Sequence, residues 1–150
     1  MLGVALEGGG ARGAFHIGAI KALLEEGYEI NGIVGTSIGA FNAAMVAQGD
    51  FEKCFEMWNN ITPSQLFDIE DRHMANVINR NLNIKTISYF SSEVKKIIVN
   101  RGIATQNLRK VVDELIDEEK LRNSNIDFGL VTVELTPLTP IELFKEDIPK

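Results

Sequence analysis

Residues 30–46 read INGIVGTSIGAFNAAMV and contain a G-x-S-x-G pattern at Gly35-Thr36-Ser37-Ile38-Gly39. The apolar residues Ile30–Val34 predict a short buried strand, and the small residues Ala40–Ala47 favour a helix. A serine on a sharp turn between a strand and a helix forms a nucleophile elbow. Glycines leave room at such a turn, and the N–H groups that begin the helix favour negative charge. A glycine-rich turn with an incidental serine is the alternative interpretation.

A second glycine-rich segment, Glu7–Gly13, follows a predicted strand at Met1–Leu6. Its three adjacent glycines are Gly8, Gly9 and Gly10. The N–H groups of such a loop can all point into one cavity, which suits an oxyanion because the donors are fixed before charge develops. Arg12 brings a positive charge to the same place, or it binds a carboxylate and so holds the loop.

The same segment also fits the dinucleotide-binding pattern G-x-G-x-x-G, with its glycines at Gly8, Gly10 and Gly13. A dinucleotide site needs an acidic residue at the end of the second strand to bind a ribose hydroxyl. Here the second strand leads into Thr36 and Ser37, with no carboxylate. The serine stands in the ribose-binding position, so the sequence favours the elbow and leaves a nucleotide-binding module as the alternative.

Taken in order, the two motifs resemble those of the patatin-like phospholipases, in which G-G-G-x-R/K-G precedes G-x-S-x-G at about this distance. The resemblance is firm over about residues 3–48 and weaker beyond them. It implies a lipid acyl ester hydrolase, of phospholipase A or lysophospholipase type, with a Ser–Asp dyad, an acyl-enzyme intermediate, and neither cofactor nor metal. The site residues that it implies are Ser37 as the nucleophile, Gly8, Gly9, Gly10 and Arg12 around the oxyanion hole, and Gly35 and Gly39 at the elbow.

The dyad aspartate of that family lies in an Asp-Gly-Gly or Asp-Gly-Ala motif well downstream of the serine. The aspartates after the serine in this chain are Asp50, Asp68, Asp71, Asp113, Asp117, Asp127 and Asp147. None is followed by glycine.

We therefore expect residues 1–150 to be the N-terminal part of a single patatin-like domain that is truncated before this aspartate. This part is expected to fold, to lack hydrolase activity, and to self-associate through surfaces that the missing part would cover. A non-catalytic interaction domain of the same fold is a further alternative.

The composition is that of a globular domain, with 45% hydrophobic and 24% charged residues and a net charge of −6. This charge disfavours nucleic acid as a partner. The expected partner is an acyl lipid, met transiently at a membrane surface.

The single cysteine, Cys54, is expected to be a packed thiol in a cytoplasmic protein. No signal peptide and no apolar run of about 18 residues is visible. Neither histidine, His16 or His73, stands where a hydrolase triad would place it.

Strands alternate with helices along the chain, which predicts a three-layer α/β/α fold around a mainly parallel sheet. Further predicted elements are helices at Ala14–Glu26 with a Gly27 cap, after an Asp50 cap, at Glu93–Asn100 and at Gln106–Glu119, and strands at Asp127–Thr136 and Ile141–Phe144. The last two strands form a hairpin that adds an antiparallel strand to the sheet. Apolar residues scattered between residues 67 and 90 are expected to pack against the sheet, or to form a lid or an acyl pocket.

Overall fold

A computed structural model describes residues 1–62, 106–134, 136 and 139–149 of the chain. The chain divides into two compact units. One unit comprises Met1–Asn60 and Leu115–Lys150, and the other comprises Ile61–Glu114. Both predicted motifs lie in the first unit.

The described elements follow one another in the alternating order that the sequence predicts. They are β1 (Leu2–Leu6), a 3-10 helix (Gly10–Arg12), α1 (Gly13–Glu25), β2 (Ile30–Thr36), α2 (Ile38–Ala47), α3 (Phe51–Asn60), α4 (Gln106–Leu115), α5 (Glu118–Arg122), β3 (Asp127–Glu134) and β4 (Thr139–Phe144). None of the helices among the described residues is both long and apolar enough to cross a bilayer.

The four strands form one sheet in the order β1-β2-β3-β4. The first three strands are parallel, and β4 is antiparallel to β3. The predicted α/β class with a mainly parallel sheet and a final antiparallel hairpin is therefore confirmed. In the register, Leu6 lies beside Gly35, so β1 and β2 end at the same edge of the sheet. The glycine-rich segment and Ser37 both follow directly from this edge. Open α/β sheets bind ligands at the same edge, beyond the carboxyl ends of their strands.

Helix α2 is buried along nearly its whole length because its side chains are small or apolar on every side. It contacts β1, β2 and β3, and α1 and α3 pack against it. Helix α2 covers the sheet face that carries Leu6, Ile33 and Phe128, each of which is less than a tenth exposed. The core of the unit thus forms around the helix that follows Ser37.

The opposite face of the sheet remains partly open in the structure. Side chains alternate between the two faces of a strand, and those on this face include Val34, Val131, Val133 and Phe144. Their exposures are 37%, 38%, 54% and 49%. The sequence predicts three layers, with helices on both faces of the sheet. The described helices that pack on the sheet form one of these layers, on the side of α2.

Two boundaries in the later part of the chain correct the sequence predictions. The helix predicted at Gln106–Glu119 is wrong as a single helix, because α4 ends at Leu115 and α5 begins at Glu118. Asp117 has an extended backbone and accepts a hydrogen bond from the Lys120 N–H at 3.0 Å, so it caps α5. Its own N–H donates to the side chain of Gln48. This tertiary contact favours the break over a continuous helix.

The remaining differences are small shifts at the ends of elements. Strand β3 ends two residues before the predicted Thr136, and β4 begins at Thr139 rather than at Ile141. The predicted Gly27 cap is confirmed by its φ of 79° and by a 3.0 Å hydrogen bond from the Tyr28 N–H to the Leu23 carbonyl. The predicted helix at Glu93–Asn100 and the proposed lid or acyl pocket at residues 67–90 lie outside the described residues.

A polar junction fixes the C-terminal end of α2. The buried side chain of Gln48 donates to Asp50 at 2.7 Å and to the Leu115 carbonyl at 2.9 Å. Asp50 also binds Lys53 at 3.0 Å and Lys120 at 3.2 Å. The junction therefore joins the early and late segments of the unit.

The charge of Asp50 makes this junction sensitive to acid. Its pKa lies below its ordinary value of 3.8, mainly because of the hydrogen bond from Lys53. A lowered folded-state pKa gives stability that is present above the unfolded pKa and is lost as the pH falls through the folded pKa. We expect Asp50→Asn to lower the melting temperature by a few degrees at pH 7, and this deficit should shrink as the pH falls below 3.8.

Thermal unfolding of both proteins over a pH series measures this difference. Asp113→Asn is the control, because its pair with Arg109 is long, at 3.8 Å, and exposed. A deficit in Asp50→Asn that persists unchanged in acid would contradict the assignment.

Candidate active site

Ser37 lies on a strained turn between β2 and α2. Its φ is 54° and its ψ is −128°, and it is the only residue other than glycine with a positive φ in the described part of the chain. Such a conformation costs on the order of 1–3 kcal/mol and persists only where the surroundings impose it. The side chain is exposed and makes no capping hydrogen bond to α2. The hydroxyl is thus presented to solvent, as a nucleophile elbow requires.

Two glycines allow the backbones around this turn to touch. A Cβ on Gly35 would lie 2.3 Å from the carbonyl carbon and oxygen of Gly39. A Cβ on Gly39 would lie 2.5 Å from the carbonyl oxygen of Leu6 and 2.6 Å from that of Glu7. The end of β2, the first turn of α2 and the end of β1 are therefore in direct backbone contact. Both positions require glycine for this reason.

The same contact brings the glycine-rich segment to the serine. A Cβ built on Gly8 would lie 3.3 Å from the Cβ of Ser37. Gly9 and Gly10 follow with φ values of 156° and 57°, which L side chains rarely adopt. The structure therefore places the two sequence motifs side by side, as their pairing predicted.

Several backbone N–H groups in the two motifs have no hydrogen-bond partner among the described residues. Neither Gly8 nor Gly9 donates its N–H to another described residue. Ile38 and Gly39 begin α2, and the first helical hydrogen bond at this end runs from the Ala40 N–H to the Ser37 carbonyl at 2.9 Å. Backbone donors from a loop and from the residue after a nucleophile are the usual components of an oxyanion hole.

The side chain of Arg12 lies over the glycine-rich segment and is largely exposed. Its guanidinium packs close to Gly9, with Nε 2.9 Å from the position of a Cβ there. Its ion pair with Glu7 is long, at 3.9 Å, and both side chains are more than 70% exposed. Such a pair contributes little to stability. The guanidinium is therefore held mainly by its packing on Gly9 rather than by the ion pair.

Four of the five described aspartates have partners other than the serine. Asp50 binds lysines, Asp113 pairs with Arg109, Asp117 caps α5, and Asp147 accepts a hydrogen bond from the Phe144 N–H. The fifth, Asp127, lies beside Gly32, so it is near the opposite end of β2 from Ser37. Asp68 and Asp71 lie outside the described residues.

Neither His16 nor Cys54 forms a hydrogen bond with Ser37. His16 is 8% exposed on the inner side of α1, and its Nδ1 has no hydrogen-bond partner. Cys54 is fully buried, and burial raises the pKa of its thiol to about 12. The expectation of a packed thiol is confirmed. His73 lies outside the described residues, and no group of metal-binding side chains occurs among the described ones.

One buried polar residue near the site was not predicted. Asn42 is completely buried in α2, and its Nδ2 donates to the Gly13 carbonyl at 2.9 Å. Its Oδ1 accepts from Trp58 at 2.8 Å and from Cys54 at 3.5 Å. The signal was present in the sequence, because Asn42 is the one polar side chain between Ile38 and Ala47. A lone amide in an apolar helix must find partners when it is buried.

A family model described as patatin-like phospholipase matches residues 4–148. The chain belongs to this family. Among solved structures, VipD from Legionella pneumophila superposes with a TM-score of 0.54 at 17% identity, covering 96% of this chain and 39% of that one. At this identity the likeness shows the patatin-like fold alone.

Curated members of the family resemble parts of the chain more closely. Lysophospholipase nte1 of Aspergillus terreus is 57% identical over 47 residues, which are 31% of this chain and 3% of the relative. An NTE family protein of Mycobacterium tuberculosis is 49% identical over 55 residues, or 37% of this chain and 15% of the relative. A patatin-like phospholipase domain-containing protein of Caenorhabditis elegans is 29% identical over 121 residues, or 72% and 9%. The chain thus spans a small part of each of these relatives.

The backbone contact at the patatin-like elbow makes a direct prediction. Gly35→Ala should lower the free energy of unfolding by about 3 kcal/mol or more, or prevent folding, because its Cβ meets backbone that has no room to move. Gly18→Ala is the control, since a Cβ there meets nothing within 4 Å and the helix gains about 0.5–1 kcal/mol. Denaturant unfolding of the two variants measures both effects. Equal stability of the two variants would show that the elbow tolerates a side chain.

Proposed function

We propose that this chain carries the nucleophile and the oxyanion hole of a lipid acyl ester hydrolase of phospholipase A or lysophospholipase type. The observation that supports this most directly is the strained Ser37, with the glycine-rich segment against it and its hydroxyl exposed. The family assignment and the lysophospholipase relative favour lipid esters as the substrate class. The substrate would be met at a membrane surface by a cytoplasmic protein.

In the proposed reaction the Oγ of Ser37 attacks the ester carbonyl. A new bond forms between Oγ and the carbonyl carbon, and the negative charge moves to the carbonyl oxygen. The N–H groups of Gly8, Gly9 and Ile38, together with the first turn of α2, would stabilise that charge. The bond to the alcohol then breaks and the alcohol leaves with a proton. Water cleaves the resulting acyl-enzyme and releases the fatty acid.

A general base must accept the serine proton in this scheme. Since four of the five described aspartates have other partners and Asp127 lies near the opposite end of β2 from Ser37, we propose that the base is an aspartate other than these five, in an Asp-Gly pair beyond Lys150. Without it, residues 1–150 should be inactive by themselves. The open face of the sheet, with Val133 and Phe144 exposed, is then the surface for the expected self-association.

Replacement of the serine tests the proposal in the intact protein. Ser37→Ala should reduce the release of fatty acid from phospholipid or lysophospholipid by on the order of 10⁴-fold or more. Ser37→Gly should be equally inactive, yet about 1 kcal/mol more stable than Ser37→Ala, because glycine relieves the strain of the positive φ. Fatty-acid release and denaturant unfolding measure the two effects.

The rival functions give different results in the same experiments. Labelling of Ser37 by a fluorophosphonate is expected for the hydrolase and not for a non-catalytic interaction domain. Saturable binding of NAD, NADP or ATP would favour the nucleotide-binding module. Undiminished hydrolysis by Ser37→Ala would exclude the serine from the mechanism.

The position of Arg12 makes a separate prediction about the oxyanion. Arg12→Ala should lower kcat by on the order of 10²–10³, the usual effect of removing one stabilising donor. Its melting temperature should stay close to that of the wild type, because the ion pair with Glu7 is exposed. Arg109→Ala, which removes a similarly exposed ion pair in α4, is the control. Normal turnover with a lowered melting temperature would make Arg12 a structural residue.

A further inference from the structure

Asn42 joins the helix that follows the proposed nucleophile to two other segments. It lies in α2, the helix that Ser37 begins, and its amide donates to the carbonyl of Gly13, where the glycine-rich segment ends and α1 begins. Its carbonyl oxygen accepts from Trp58 on α3. All of these atoms are in the same compact unit as Ser37. Both ends of the buried amide are thus used, on two different elements.

The Trp58 ring reinforces the same connection. A Cβ on Gly13 would lie 2.6 Å from the ring of Trp58 and 3.0 Å from the side chain of Ile38, the residue after the serine. The end of the glycine-rich segment is therefore pressed between α3 and the first turn of α2. Asn42 fixes Gly13 relative to Trp58, because it forms hydrogen bonds with both residues.

We propose that Asn42 is a positioning residue that holds the glycine-rich segment in register with Ser37. Gly8 lies against Ser37, with 3.3 Å between its Cβ position and the Cβ of the serine, and this approach requires the segment between Leu6 and Gly13 to be fixed at both ends. The contact of Gly39 with Leu6 and Glu7 fixes one end, and Asn42 fixes the other. The geometric part of this proposal is independent of catalysis, whereas its effect on turnover rests on the proposed function.

Amide NMR spectra of the 150-residue chain test the geometric part. Asn42→Ala should shift the amide signals of Gly8, Gly9 and Ser37. The Gly13 signal is not used, because the Trp58 ring affects it directly. Gln48→Ala is the matched control, since it removes the buried amide that caps the C-terminal end of α2, where its partners include Asp50 and Leu115.

The two variants separate positioning from general stability. Both should unfold more easily than the wild type, because each leaves buried partners without a hydrogen bond. Only Asn42→Ala should move the signals around Ser37. Equal movement in both variants, or none in Asn42→Ala, would overturn the proposal.

A milder variant covers the case in which Asn42→Ala does not fold. Trp58→Phe keeps an aromatic ring against Gly13 and removes only the N–H that binds Asn42. It should shift the signals of Gly8, Gly9 and Ser37 in the same direction as Asn42→Ala but by less. Unshifted signals in folded Trp58→Phe would overturn the proposal.

Kinetics of the intact protein test the effect on turnover. A misplacement of about 1 Å in a catalytic group costs on the order of 10²-fold, so Asn42→Ala should lower kcat by up to that factor with KM unchanged. Gln48→Ala should retain its kcat below its melting temperature. If Ser37→Ala remains active, the proposed function fails while the NMR result still stands. Shifted signals with an unchanged kcat would remove Asn42 from catalysis.

Discussion

The structure depends on backbone contacts that only glycine permits. Gly35 touches the first turn of α2, and Gly39 in that turn touches the end of β1. These contacts fix the distance between two strands and a helix without any side chain between them. They also force Ser37 into its positive φ, because the chain must reverse within one residue. The position of the glycine-rich segment beside the serine follows from the same approach.

Such an arrangement requires the helix behind the serine to be rigid. Helix α2 meets this need with small and apolar side chains that pack against three strands and two helices. One buried polar side chain, Asn42, lies in the middle of the helix, and a second, Gln48, caps its C-terminal end. Asn42 binds the segment that precedes α1, and Gln48 binds the chain that leads into α5. Each amide therefore connects α2 to residues distant in sequence. Hydrogen bonds of this kind define the relative position of two segments more uniquely than apolar packing alone.

Much of this unit was predictable because its information is local. The strand, turn and helix around Ser37 are adjacent in sequence, and the parallel order follows from the alternation of strands and helices. The break before Asp117 was not predictable, because a hydrogen bond to Gln48 from a distant segment favours it. The partners of Asn42 were hidden for the same reason. Its burial was foreseeable from the apolar residues around it, whereas Gly13 and Trp58 became its neighbours only through folding.

The strained backbone of Ser37 and the buried amide of Asn42 both belong to the arrangement that holds the serine beside the glycine-rich segment. A strained residue relaxes whenever its surroundings loosen, so its cost of on the order of 1–3 kcal/mol must be offset by contacts made elsewhere. Among the described residues, the packing of α2 and the hydrogen bonds of Asn42 are the contacts that can offset this strain, since both lie within two helical turns of the serine. A preorganised oxyanion hole has the same need, because donors that must first be ordered lose part of their effect. The residues that stabilise this fold are therefore also those that would keep its donors in place.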